Sequence, residues 1–90
     1  MLEIYNYYER LVDDHLWKMA QDPDRMLSQV DLEDIACIVL NRLPPCYVRN
    51  LIDKAAHLSE KQYQEMHKQV SDAIEIALEQ VLNRRSETRN

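Results

Sequence analysis

The stretch Leu40-Asn41-Arg42-Leu43-Pro44-Pro45-Cys46-Tyr47-Val48 decides how this chain folds. Upstream of it, Leu32, Ile35, Ala36, Cys37, Ile38, Val39, Leu40 and Leu43 form a run that is apolar nearly all round a helix. Such a run belongs to a central helix wrapped by neighbours. Pro44 pushes Leu43 out of the α region, and Pro45 prolongs the break. The chain contains no glycine, so this helix ends by proline rather than by a left-handed cap. Beyond the break, Tyr47-Val48 is extended, and Asn50 caps a short helix over Leu51 to His57. Asn41, Arg42, Tyr47 and Arg49 are thereby held on one stiff corner.

Working outward, residues 3–20 read as a helix. Ile4, Tyr8, Leu11, Val12, His15, Leu16 and Met19 recur at helical spacing, and Tyr5, Tyr7 and Trp17 widen the apolar side enough to meet two neighbours. Asp22-Pro23 predicts a cap and one helical turn over 23–28. Asp31 reads as the N-cap of the central helix, with Val30 and Ile35 at the staple positions and Glu33 and Asp34 at the positive end of the dipole. Ser59 with Gln62 makes a capping box, and Leu58 with Tyr63 a second staple. The last helix then runs from about 60 to 84, with Tyr63, Met66, Val70, Ala73, Ala77 and Val81 on one stripe and Ile74, Leu78 and Leu82 beside it. Arg84, Arg85 and Arg89 suit its negative end, and residues 86–90 read as a frayed tail. The expectation is an all-α fold of three main helices and a short fourth, in one domain over 1–90. The last helix is roughly 35–40 Å long, whereas a compact chain of this size is only about 30 Å across. It outreaches its own domain, which predicts a two-fold symmetric homodimer.

Composition narrows the function. The 90 residues are 46% hydrophobic with a net charge of −5, so a small core is within reach but a general duplex nucleic-acid binder is not expected. No membrane span and no secretory leader are read in the chain, and two cysteines offer little as staples. The expectation is a cytoplasmic protein with reduced thiols. A phosphate-binding Gly-rich loop is excluded by the lack of glycine. His15, His57, His67, Cys37 and Cys46 form no metal-ligand spacing, and His15, on the apolar stripe, reads as a satisfied core histidine. Asp13-Asp14 and Glu33-Asp34 are neighbours pointing about 100° apart on their helices, so neither pair converges on one atom. No nucleophile sits beside a base, and no enzyme is expected.

The corner is the candidate site. Arginine grips phosphate with two parallel bonds, stacks on bases and reads a guanine edge. Tyrosine adds a stacking face. A planar or anionic ligand suits this set. The alternative is structural, with Asn41 and Arg42 bonding the last carbonyls of their own helix and Tyr47 packing.

The ordered run from Asp34-Ile35-Ala36 through Leu40-Asn41-Arg42-Leu43-Pro44-Pro45-Cys46-Tyr47-Val48 resembles the signature of the late-competence development family ComFB. The resemblance implies a small, helical, dimeric, cytosolic bacterial protein with a regulatory role near competence, type IV pili or motility. It also implies binding of a cyclic dinucleotide, cyclic di-GMP in particular. Asp34, Asn41, Arg42, Pro44, Pro45 and Tyr47 are the positions that match the motif. Adding Arg49 from the corner gives an expected ligand set of Asp34, Asn41, Arg42, Tyr47 and Arg49. Some relatives carry paired cysteines before the Asp-Val that suit zinc. Residues 26–33 have none, so no zinc is expected. Cys46 stands where the family often has a basic residue, one positive charge fewer. The competing expectation is an adaptor without a small ligand, presenting Tyr5, Tyr7 and Trp17 to an unidentified protein partner.

Overall fold

The computed structural model describes the backbone of residues 1–88 and the side chains of residues 1–85. In order, the elements are β1 (Tyr5–Asn6), α1 (Tyr7–Ala20), α2 (Gln29–Arg42), β2 (Tyr47–Val48), α3 (Leu51–His57) and α4 (Glu60–Thr88). The chain is mostly helical, as its sequence predicts, with one addition. β1 and β2 pair antiparallel, Tyr5 opposite Val48 and Asn6 opposite Tyr47.

The core lies where α1, α2 and α4 meet. Tyr7, Tyr8, Leu11, Val12 and Leu16 come from α1, Ile35 and Val39 from α2, and Val70, Ala73, Ile74, Ala77, Leu78 and Val81 from α4. Those from α4 follow the predicted stripe and its flanking row, except that Tyr63 and Leu82 stay largely exposed. Tyr7 is buried in this core rather than offered to a partner, whereas Trp17 is 66% exposed.

The first helix is shorter than its pattern predicts. Asn6 caps α1 at the point where the chain leaves β1, and its Oδ1 accepts from Tyr8 N–H. The same oxygen accepts from Cys46 N–H at 3.0 Å, and Tyr7 N–H donates to Cys46 C=O at 2.7 Å. Tyr5 and Asn6 are therefore strand, and residues 3 and 4 lie outside the helix, because the proline corner supplies strand partners. Local helical spacing cannot register a partner some 40 residues away. Residues 23–25 form a turn, not a helical turn, with Asp22 Oδ1 accepting from Asp24 N–H.

The central helix starts three residues earlier than predicted. Ser28, not Asp31, is its N-cap, and Asp31 completes a reciprocal capping box from the third helical position. Val30 is consequently exposed rather than stapled, and Leu27 and Leu32, both half-buried, occupy the staple positions. The Asp31 carboxylate also receives Arg85 Nη1 at 3.3 Å. Arg85 thus ties the far end of α4 to the start of α2 instead of merely matching its own helix dipole. At the other end the expectation holds. α2 stops at Arg42, and Leu43 is extended with φ −79° and ψ 141°. Asn50 caps α3 through Ile52 N–H and Asp53 N–H, and Ser59 and Gln62 form their capping box.

α4 runs four residues past the predicted end. Its 29 residues span about 43 Å, nearly the 48 Å long axis of the molecule. The expected fraying of 86–90 falls on helix as far as Thr88 and on residues 89–90, which lie outside the described residues.

Two outcomes follow from these ties. Asn6→Ala removes a helix cap and strands the Cys46 amide, and it should lower unfolding stability by about 1–2 kcal/mol in urea titrations. The backbone and side-chain bonds from Ser28, together with Arg85, hold the Asp31 carboxyl below the ordinary carboxylate range. A depressed carboxylate pKa stabilises the fold above about pH 4 and loses that contribution as the pH falls through the folded value. Asp31→Asn should therefore lower the thermal midpoint at pH 7, and its difference from the parent should shrink as the pH falls below about 4.

Candidate functional site

The predicted residues fall on two surfaces. Asp34, Cys37 and Asn41 follow at spacings of three and four, which aligns them with Val30 along the outer face of α2. All four are exposed. Asn41 Nδ2 donates to Cys37 C=O at 2.8 Å, the helix-bonding role its position also allowed, and this leaves its amide oxygen as an acceptor. Arg42 is exposed as well, but one residue further along the helix it projects about 100° away from Asn41.

Tyr47 and Arg49 lie beyond the prolines on the second surface. With Asn50, Asp53, Lys54 and His57 they line an open hollow where β2 leads into α3. The backbone explains their display. Antiparallel pairing of Tyr47 with Asn6 fixes the strand, so Tyr47 stands outward, 65% exposed, while Val48 turns towards the core. Among the described residues, no hydrogen bond or ion pair engages the side chains of Asp34, Arg42, Tyr47 or Arg49. Buried polar groups need partners, and exposed guanidiniums without one carry no structural duty. The corner is thus two exposed patches on either side of a proline break, one acidic-to-amide on α2 and one cationic and aromatic beside α3. One protomer does not gather all five residues into a single pocket.

A further polar constellation escaped sequence reasoning. His15 Nε2 and His67 Nδ1 are 3.1 Å apart and join α1 to α4. Burial, the neighbouring His67 and Lys18 hold the His15 imidazole below its ordinary value, against a smaller opposing effect of Asp14. His15 is satisfied, as its place on the apolar stripe predicts, but its partner had no local signal. His67 lies beside the α4 stripe, and only packing of the two helices reveals the pair. Asn6 escaped for the same reason. Its second bond, to Cys46, spans the chain.

No helix among the described residues is long and apolar enough to cross a membrane. The family model described as late competence development protein ComFB matches residues 5–85. No curated protein and no solved structure matches the chain. The matched span takes in α1, α2, α3, α4 as far as Arg85, the proline corner and the β1–β2 ribbon. Because the two arginines are exposed and unengaged, Arg42→Ala and Arg49→Ala should each leave the unfolding free energy within about 0.5 kcal/mol of the parent, as measured by denaturant titration.

Proposed function

Because this chain belongs to the late competence development family ComFB, we propose that it is a non-catalytic receptor that binds a cyclic dinucleotide, cyclic di-GMP first among them, at a site associated with a two-fold dimer. Membership itself carries the coarser statement, a competence-related regulatory protein. The observation that supports the finer reading is the display of Arg49 and Tyr47 on a stiff corner, exposed and without side-chain partners among the described residues. A cyclic dinucleotide presents two phosphates and two purines in two-fold symmetry. Paired corners would offer it Arg42 and Arg49 for phosphate or a guanine edge, and Tyr47 for stacking. Asp34 would accept from a guanine, with the Asn41 amide oxygen near it on the same helix face. Lys54, on the rim of the hollow, restores part of the positive charge that Cys46 does not supply.

The dimer is supported by unfinished burial. In α2 only Ile35 and Val39 are fully buried, and Leu32, Ile38 and Leu40, with Leu43 just beyond the helix, remain partly open. Val30, Cys37, Ile76 and Leu82 are exposed. A helix that apolar belongs between neighbours on several sides, and a second α2 crossing its outer face would cover it. Both the cytoplasmic location and a protein partner that receives the signal belong to this reading. No metal and no resident cofactor belong to it.

The adaptor reading draws on exposed Tyr5 and Trp17, which offer aromatic surface without any ligand. Calorimetry with cyclic di-GMP separates the two. The parent should bind, and Arg42→Ala and Arg49→Ala should each weaken binding by tenfold or more, the equivalent of about 1.5–3 kcal/mol for a hydrogen-bonded charge. No heat from the parent favours the adaptor, and unchanged affinity in a variant removes that arginine from the site. In sedimentation the parent should be dimeric and Val30→Glu monomeric.

A further inference from the structure

α1, α3 and α4 enclose a cleft of about 550 Å³ on the far side of α3 from the arginine hollow. Its lining is mainly aromatic and aliphatic: Tyr7 and Trp17 from α1, Leu51 and Ile52 from α3, and Tyr63 from α4. Ile52 is 80% exposed and Trp17 66% exposed, so large apolar groups ring an opening that the chain leaves uncovered. The His15–His67 pair lies among them, with the Tyr63 ring 4.2 Å from the His67 ring.

Size, shape and charge narrow what fits. A mostly apolar cleft with a few polar groups, one of them of shifted pKa, is the usual form of a small-molecule site. Its charged groups cancel. Arg10 is paired to Asp14 at 3.5 Å, and Lys18 is offset by Asp13. A polyanion gains nothing there, whereas a flat ring gains the faces of Trp17 and Tyr63. His67 Nε2 is buried and lacks a hydrogen-bond partner among the described residues. A neutral imidazole presents either a proton or a lone pair at that nitrogen. That nitrogen is closed to solvent, so the donors and acceptors on a ring edge are answered by the Asp13 and Lys18 side chains that also line the cleft.

We propose that this cleft binds an uncharged, planar heteroaromatic ring of the size of a purine base. The site does not depend on the corner, because Arg42, Tyr47 and Arg49 do not line it. α3 divides the two. Leu51, Ile52 and Ala55 line the cleft, whereas Asp53, Lys54 and His57 line the hollow. The ring is that of a free nucleoside or the base of a larger nucleotide.

Trp17 is the chain's one tryptophan, so its emission reports the cleft directly. The full chain is titrated with guanosine, adenosine and cyclic di-GMP, and with inorganic phosphate as the control. At least one nucleoside, or cyclic di-GMP, should change Trp17 emission saturably, and phosphate should not. Tyr63→Ala and Ile52→Glu, each shown by circular dichroism to keep its helicity, should weaken that response at least tenfold. Arg49→Ala should leave the nucleoside response unchanged. A response to cyclic di-GMP alone assigns the cleft to a base of that nucleotide, and a response to nucleosides assigns it to the free ring. No saturable change with any of the three, or equal affinity in Tyr63→Ala, overturns the proposal. If calorimetry then still detects cyclic di-GMP, the cleft falls and the corner stands. If nucleosides respond while Arg42→Ala and Arg49→Ala leave cyclic di-GMP binding untouched, the corner falls and the cleft stands.

Discussion

One carboxamide oxygen organises this molecule. Asn6 Oδ1 accepts from Tyr8 N–H, which starts α1, and from Cys46 N–H, which follows the double proline. Asn6 and Cys46 are 40 apart in sequence. Neither amide has a helical carbonyl within reach. The first turn of α1 has none by construction, and Pro44 and Pro45 have already ended α2. A single acceptor resolves both deficits, and the β1–β2 pairing grows from the same point. With Asn6 bonded, Tyr47 must face outward and Val48 inward, because successive strand residues alternate. The orientation of the candidate site is therefore a consequence of how one helix begins.

The lack of glycine favours this arrangement. A helix that closes on a left-handed residue satisfies its own last carbonyls and turns within a few residues. α2 instead leaves its last turn directly into an extended chain at Leu43. The path through Pro44 and Pro45 has restricted dihedrals and no N–H donors of its own. Such a segment loses little entropy on folding and resists collapse onto the surface. The arginines and the tyrosine beside it gain a rigid mount from a backbone that makes few bonds. At the opposite end of α2 the logic is reversed. Asp31 is saturated with partners, taking Ser28 N–H and the Arg85 guanidinium on one carboxylate oxygen while its own N–H binds Ser28 Oγ. The central helix is anchored at its start by polar bonds and released at its end by proline.

Local signals carried most of the helices and few of the joints. The double proline, the Asn50 cap, the Ser59–Gln62 box and the stripe from Met66 to Val81 each depend on residues within a few positions of one another, and each appears in the fold as read. The errors have two causes. Asp31 looked like an N-cap because Asp is a good one, but Ser28 three residues earlier captures it as the reciprocal partner. Residues 3–6 looked helical because Ile4 and Tyr5 continue the stripe, yet a strand partner across the chain overrides that propensity. Of the candidate site, Tyr47 and Arg49 were legible as one patch. The separation of Arg42 from Asn41 around the helix was legible too, from their adjacency, but only a known buried face says which of the two turns to solvent. Leu43 and Cys46, half-buried, owe their placement to packing that no window of sequence contains.

α3 shows how the fold divides its surface. It has seven residues and none is fully buried. A helix that short has little stability of its own, so it persists through the Asn50 cap and through Leu51 and Leu58, both packed on the core. Its light attachment is what keeps two different surfaces open. Arg49, Lys54 and His57 remain on one side, and Leu51, Ile52 and Ala55 on the other, because no described residue packs over either. A deeper-seated α3 would bury one of those surfaces and gain stability at its expense. A short helix with no fully buried residue is expected at the low end of local stability. The thin packing of a small core thus falls on the segment that borders both surfaces, while α1, α2 and α4 hold the frame.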